Sequence, residues 1–284
     1  MRACFLILLL WTGCDTVDLD KIDNLNNGKV DIIAHGGGGF QSLIQPLPTN
    51  SFTSIEQAID GLNADGMEID LKVTSDSVVV LYHDNTLEKS TGCAGCPETY
   101  DAQSILNCKY KNYYGSGALK DEYIISLQQV IDHFKGRQKL PHIYASPKRP
   151  TTCSEQDPTA KEKYAKALVK IIQDNNAYSW ISVYDGTPEF LNLVRSMDPN
   201  IHLIYNAIEF DESLNAVIVN NYSGLVIGLD DVTKEQVKLA HNNNKKVIIW
   251  GMYRRKETIE AIEKNADAIM TDNIQVAQEL LGSD

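Results

Sequence analysis

The chain has 284 residues, 43% of them hydrophobic and 23% charged, and its formal net charge is −12. The length fits one large α/β domain of about 250 residues, and the composition is that of a globular protein. The acidic balance argues against nucleic acid, and against an anionic membrane surface, as a general partner.

At the N-terminus, Arg2 precedes the apolar run Ala3-Cys4-Phe5-Leu6-Ile7-Leu8-Leu9-Leu10-Trp11. A bilayer span takes about 20 residues, so this run is too short to cross one. It has the form of a signal-peptide core. Trp11-Thr12-Gly13-Cys14 resembles a bacterial lipoprotein cleavage box, so residues 1–14 read as a lipoprotein-type signal with Cys14 as the lipidated terminus. An ordinary secretory signal is the alternative. Residues 15–29 are rich in Asp and Asn, as a tether would be. The expected location is the bacterial cell envelope, on the periplasmic or surface side, with membrane contact only through the lipid anchor.

Strands are predicted at 30–35, 67–73, 78–83, 141–146, 180–184, 201–205, 224–229, 246–251 and 267–271. Helices are predicted at 51–62, 126–135, 159–176, 187–197, 233–243, 255–265 and 273–281, best marked at 51–62 by Phe52, Ile55, Ala58, Ile59 and Leu62. The second half alternates strand and helix, the sign of βα units on a parallel sheet. The expected fold is an irregular (β/α)8 TIM barrel over residues 30–284. Nine strands for eight places leaves one extra. The link from Asp70 to Val78 is too short for a crossover helix, so the chain must double back through Thr74-Ser75-Asp76. Residues 85–122 lack periodicity and are expected to form a loop-rich insertion over the barrel mouth. Cys93, Cys96, Cys108 and Cys153 are expected to pair in an exported protein, with the pairing open. A zinc site at Cys93 and Cys96 is the lesser alternative.

The chemistry concentrates at three strand ends. In Gly66-Met67-Glu68-Ile69-Asp70-Leu71 the two acids project together from one side of a strand. Paired carboxylates repel, and a bound hard cation such as Mg²⁺ or Ca²⁺ removes that cost. A bare E-x-D is more often a solvated edge. Here two neighbouring apolar runs end in His35 and His83, which is the pattern of a site at the strand ends of a barrel.

At these residues the sequence resembles the glycerophosphodiester phosphodiesterase family, a branch of the phospholipase-C-like barrels. The family pattern A-H-R-G, P-E-N-T, G-A-D-x-x-E-x-D-V-x-x-T-x-D and V-V-x-H-D-x-x-L-x-R-x-T reads here as Ala34-His35-Gly36-Gly37, Pro48-Thr49-Asn50-Ser51, residues 63–76 and residues 79–91. Ile248-Ile249-Trp250-Gly251 resembles its W-T-V-N strand, and Asp267-Ala268-Ile269-Met270-Thr271-Asp272 its closing D-G-I-I-T-D. Three departures stand out. Gly36 replaces the family arginine, Thr49 replaces the glutamate of P-E-N-T, and Ser146 stands where an E-x-K strand has a third metal carboxylate, the lysine remaining as Lys148.

The resemblance implies hydrolysis of glycerophosphodiesters, small-molecule phosphodiester substrates, to glycerol 3-phosphate and an alcohol. Glu68 and Asp70 would hold a divalent cation, Ca²⁺ or Mg²⁺. His35 and His83 would handle protons, each contributing about 10²–10⁴-fold. Lys148 and Trp250 would contact substrate. Gly36-Gly37-Gly38-Gly39 either offers backbone N–H groups to an anion or is a plain loop. Arg149, Arg254 or Arg255 is a candidate to replace the lost arginine clamp. The alternative function is a catalytically impaired barrel that binds a phosphodiester or sugar phosphate without turnover.

Overall fold

In the computed structural model the chain is described over residues 17–40, 42, 45–111, 121–149, 153 and 159–282. The signal sequence and Cys14 lie outside the described residues. Nine strands form one sheet: β1 Asp31–Ala34, β2 Gly66–Val73, β3 Val79–Leu81, β4 His142–Pro147, β5 Ile181–Asp185, β6 His202–Asn206, β7 Gly224–Gly228, β8 Lys246–Met252 and β9 Ala268–Thr271. Eight are parallel, and the β1–β2 pairing closes them into a barrel. The ninth is β3, which runs antiparallel to the end of β2. This resolves the surplus strand. The turn is set by Ser77 at φ 68° and by Thr74, whose hydroxyl accepts from Val78 N–H at 2.9 Å.

Helices α1 Phe52–Glu56, α2 Ala102–Ile105, α3 Leu127–Phe134, α4 Ala160–Asp174, α5 Pro188–Met197, α6 Phe210–Val219, α7 Lys234–Asn242, α8 Arg255–Glu263 and α9 Ile274–Leu281 complete the fold. The run expected at 51–62 starts as α1, with Ser51 accepting from Ser54 N–H, and widens into a π turn at Gln57–Gly61. α6 was not anticipated. Its buried side is Phe210, Ser213, Leu214 and Val217, while Ile208 and Val219 are exposed. A polar residue in the apolar stripe and β-branched residues outside it blur the 3.6-residue period.

Strand alternation divides the core in two. One side of each strand packs on the helices. The other fills the lumen with Ile33, Tyr144, Tyr184, Ile204, Val226, Ile248, Ala268 and Met270. A third cluster, including Tyr82, Leu87, Ile105 and Tyr110, lies under the insertion. The insertion is held by disulfides Cys93–Cys108 and Cys96–Cys153, which excludes zinc at these thiols.

The segment read as a tether is docked over its described part. Asn24 donates to the Ala266 carbonyl at 2.9 Å, Leu25 N–H to Asp267 at 2.8 Å, and Val17, Leu19 and Ile22 pack on the core. Asn26 likewise donates to Asp31 at 2.9 Å and to the Asp267 carbonyl at 3.1 Å, so the two asparagines pair with strand starts. Among the described residues, no helix is long and apolar enough to cross a membrane.

His142 opens β4 near the other end of the lumen, with Nε2 2.8 Å from Ser182 Oγ. Burial, then the charges of Lys246 and His202, push its pKa from 6.5 down to about 4. Between those values the unfolded chain binds a proton that the folded chain refuses. Stability must therefore fall as pH drops from about 6.5 to about 4, by up to roughly 3 kcal/mol. Thermal melts of the wild type and His142→Gln over that range should show a steeper acid limb in the wild type.

Candidate active site

The site is built on β2. Glu68 and Asp70 point into the lumen and are each 1% exposed. The ladder explains how they reach their partners. β1 pairs with β2 only at Gly66 and Met67, and β3 only from Leu71 onward. Between them, loop groups serve the strand edge. Asp70 N–H donates to Asn50 Oδ1 at 3.0 Å, and the Asp70 carbonyl accepts from Tyr82 N–H at 2.9 Å. The carboxylates are held from the same side: Asn50 Nδ2 donates to Asp70 Oδ2 at 2.7 Å, and Gly36 N–H to Glu68 Oε2 at 3.0 Å.

β1 and β9 run in register, Ala34 beside Thr271, so the next residues, His35 and Asp272, emerge together. His35 Nδ1 lies 2.9 Å from Asp272 Oδ1. An Nδ1–H donated there fixes the tautomer and leaves Nε2 for proton exchange. His83 follows β3 with its side chain 41% exposed and Nδ1 3.2 Å from Asp84 Oδ1. Asp84 is anchored by Lys89 at 2.8 Å and by the Ser90 hydroxyl. The Phe40 ring stands between the imidazoles, 4.8 Å from one and 5.2 Å from the other, so the two rings are within about 10 Å.

Register also delivers Lys148. Asp70 pairs with Ser146 across β2 and β4, which turns Ser146 and Lys148 toward the lumen. Lys148 Nζ sits 2.9 Å from Asp70 Oδ1 and 3.8 Å from Glu68 Oε1, and donates to Ser146 Oγ at 3.0 Å. It therefore bridges the acids that the sequence reading paired with a cation. Trp250 lies at the mouth end of β8, level with Met270, and is 39% exposed.

The electrostatics follow from burial. Desolvation and then the Asp70 charge raise the Glu68 pKa. Desolvation also opposes ionisation of Asp70, but Lys148, His83 and Asn50 outweigh it and lower its pKa. Burial would lower His35, yet the Asp272 hydrogen bond and the charges of Glu68 and Asp70 raise it. Lys148 is likewise raised: the two carboxylates overcome its own desolvation.

Oxygen donors of this kind fit a hard divalent cation. In formal charge, Lys148 offsets one of the two carboxylates. The number of acids is short of a full cage: among the described residues, no group of three or more His, Cys, Asp or Glu side chains is placed to hold a metal. Ser146, where the family pattern has its third carboxylate, carries a hydroxyl that accepts from Lys148.

Two departures from the family pattern meet in space. A Cβ on Gly36, at φ 56°, would stand 2.6 Å from Thr49 Cγ2, so an arginine cannot be restored at 36 while Thr49 keeps its place. Three N–H groups of the glycine run are used within the fold: that of Gly36 by Glu68, and those of Gly38 and Gly39 by the His35 carbonyl. Arg149 is committed to Asp185, at 2.6 and 2.7 Å, and Arg255 to Glu279 at 3.0 Å. Arg254 caps α8 and is largely exposed. Asn50 and Asp272 were not singled out from the sequence, although both stand in the quoted motifs and Asp272 ends a strand, the signal that marked His35.

The pattern of the glycerophosphoryl diester phosphodiesterase family matches residues 39–276. A glycerophosphodiester phosphodiesterase from Caldanaerobacter subterraneus subsp. tengcongensis is 24% identical over 247 residues, covering 86% of this chain and 95% of that protein. The structure of a phosphodiesterase from Oleispira antarctica, in complex with the product sn-glycerol-3-phosphate, superposes with TM-score 0.73 at 18% identity, covering 89% of this chain and 97% of the other. A glycerophosphodiester phosphodiesterase from Agrobacterium tumefaciens does so with TM-score 0.70 at 17% identity, covering 88% and 99%. With the family pattern spanning most of the barrel and both histidines and both carboxylates gathered at its mouth, this chain belongs to the glycerophosphoryl diester phosphodiesterase family of phosphodiester hydrolases.

Proposed function

We propose that this enzyme hydrolyses glycerophosphodiesters to glycerol 3-phosphate and an alcohol with the help of a divalent cation. The observation that carries this reading is the buried Glu68–Asp70 pair beside two imidazoles, its charge only half offset by Lys148. Glu68 and Asp70, with Ser146, would hold the cation, which as a Lewis acid would neutralise phosphoryl charge. His35, oriented by Asp272, and His83, beside Asp84, remove a proton from the attacking oxygen and deliver one to the leaving alkoxide. Lys148 exchanges carboxylate contact for phosphate contact, and Trp250 borders the substrate.

Glycerol 3-phosphate release from glycerophosphocholine is expected with added Ca²⁺ or Mg²⁺. It should vanish in EDTA and return with excess cation. An equal rate in EDTA would overturn the metal role; ligand-induced thermal stabilisation with no product would overturn turnover. We also propose export to the cell envelope with a lipid anchor at Cys14. Two disulfides support an oxidising compartment. Mass analysis of the mature N-terminus tests the anchor, and an unprocessed Met1 terminus would exclude it.

A further inference from the structure

The end of the barrel opposite the catalytic mouth holds a second cavity, which the reaction does not use. It measures about 810 Å³ and lies among the strand starts and the loops before them. Bulky aliphatic side chains commonly fill such a lumen in layers. Here the lumen-facing residues at the starts of β4 to β8 are His142, Ser182, His202, Gly224 and Lys246, so that end is polar and open. Three cations line it: Arg195, Lys245 and Lys246. Their hydrogen-bond partners are neutral. Arg195 donates to the Asn220 and Asn221 carbonyls. Lys245 donates to Asn221 Oδ1 at 3.0 Å and to the Tyr222 carbonyl at 2.9 Å, and Lys246 reaches Asn26 Oδ1 at 3.5 Å.

The acids nearby are already engaged. Asp31, which lines the cavity, is held by Lys29 at 2.6 Å and by Asn26 at 2.9 Å. Asp267, the residue before β9, accepts from Leu25 N–H, Val247 N–H and His241. Positive charge is thus left over at one end of a chain whose formal net charge is −12.

We propose that this cavity is a second ligand site, for a small anion of the phosphate-monoester class. A phosphoryl group presents several oxygens to converging donors and matches lysine and guanidinium charges. The volume falls in the range of small-molecule pockets, about 300–1,000 Å³, and leaves room for more than a bare phosphate. The site stands independently of the catalytic reading. His142 reports on it. Lys246, His202 and Asp31 line the cavity with this imidazole, Ser182 Oγ is 2.8 Å from it and the Tyr144 ring 4.7 Å away. Positive neighbours help to hold it neutral, and a bound dianion would reverse their effect.

The test is histidine C2–H NMR on the full chain, with His142 assigned by its loss in His142→Gln. Inorganic phosphate and sn-glycerol 3-phosphate are added separately, against sodium chloride at matched ionic strength. The expected result is a saturable rise in His142 proton affinity, about tenfold or more, with one or both probes. Lys246→Met should weaken that response about tenfold while leaving kcat on glycerophosphocholine unchanged. A response to phosphate alone, or to the monoester alone, supports the site and names its ligand. An unmoved His142 resonance overturns it, even if the melting temperature rises, since binding would then be at the catalytic mouth. An equal response to chloride overturns it as ionic screening.

Discussion

His35→Ala is expected to lower kcat on glycerophosphocholine by about 10²–10⁴-fold, the usual contribution of a positioned acid or base. The imidazole is the only part of His35 that the mutation removes, and it sits on Asp272 at 2.9 Å rather than in the apolar core. The melting temperature should therefore move little. Asp272→Asn is the finer test. It keeps the size of the side chain but offers an amide to Nδ1, so the favoured tautomer and the support for an imidazolium are both lost. A kcat loss with a shifted pH profile is expected, smaller than that of His35→Ala. Full activity in His35→Ala would remove this histidine from the mechanism.

The largest stability effect is expected at Glu98. Lys72, on the lumen-facing row of β2 with Glu68 and Asp70, is 0% exposed, and its Nζ lies 3.6 Å from Glu98 Oε1. That Nζ has no hydrogen-bond partner, and neither does Glu98 Oε2. Tyr164 of α4 donates to Glu98 Oε1 at 2.9 Å. Burial lowers the Lys72 pKa, and the Glu98 charge opposes that most. Removing one partner of a buried pair costs about 3–5 kcal/mol, because the other charge stays behind. Glu98→Ala should lose about that much at pH 7, read from urea unfolding. Without Glu98 the folded-state pKa of Lys72 falls further below 10.5. The unfolded chain then binds a proton that the folded chain does not, so the deficit should shrink as pH rises toward 10. Lys72→Met in the Glu98→Gln background should recover most of the stability. If Glu98→Ala costs under about 1 kcal/mol, the pair does not hold the insertion to the barrel.

Glu98 also shows why the insertion was hard to read. It lies in the turn Pro97–Thr99, directly after Cys96, whose disulfide to Cys153 ties the insertion to the loop after β4. The four cysteines allowed three pairings, and spacing along the chain does not choose among them. Only the approach of residues distant in sequence does. The same holds for Lys148. Its place at a strand end was legible, but a single row of letters does not show that register sets it against Asp70.

Alternation and strand-end chemistry, by contrast, are local. The spacing of Glu68 and Asp70 already put both carboxylates on one side of a strand, and the short link to Val78 already required β3 to turn back. Apolar runs ending in His35 and His83 marked the rim, because a parallel barrel brings its strand ends together. The helix at Phe210–Val219 escaped detection because Ser213 sits in its buried stripe and exposed β-branched residues sit outside it.

What the order of residues settled was the barrel and its four central groups, since both follow from two-residue alternation and from where polar side chains end apolar runs. What folding alone decided was which groups those four would meet. Asp272 reaches His35, Asn50 reaches Asp70, and Thr49 fills the space beside Gly36, each across more residues than a local pattern spans. Such contacts depend on inter-strand register and loop closure, which no local periodicity encodes.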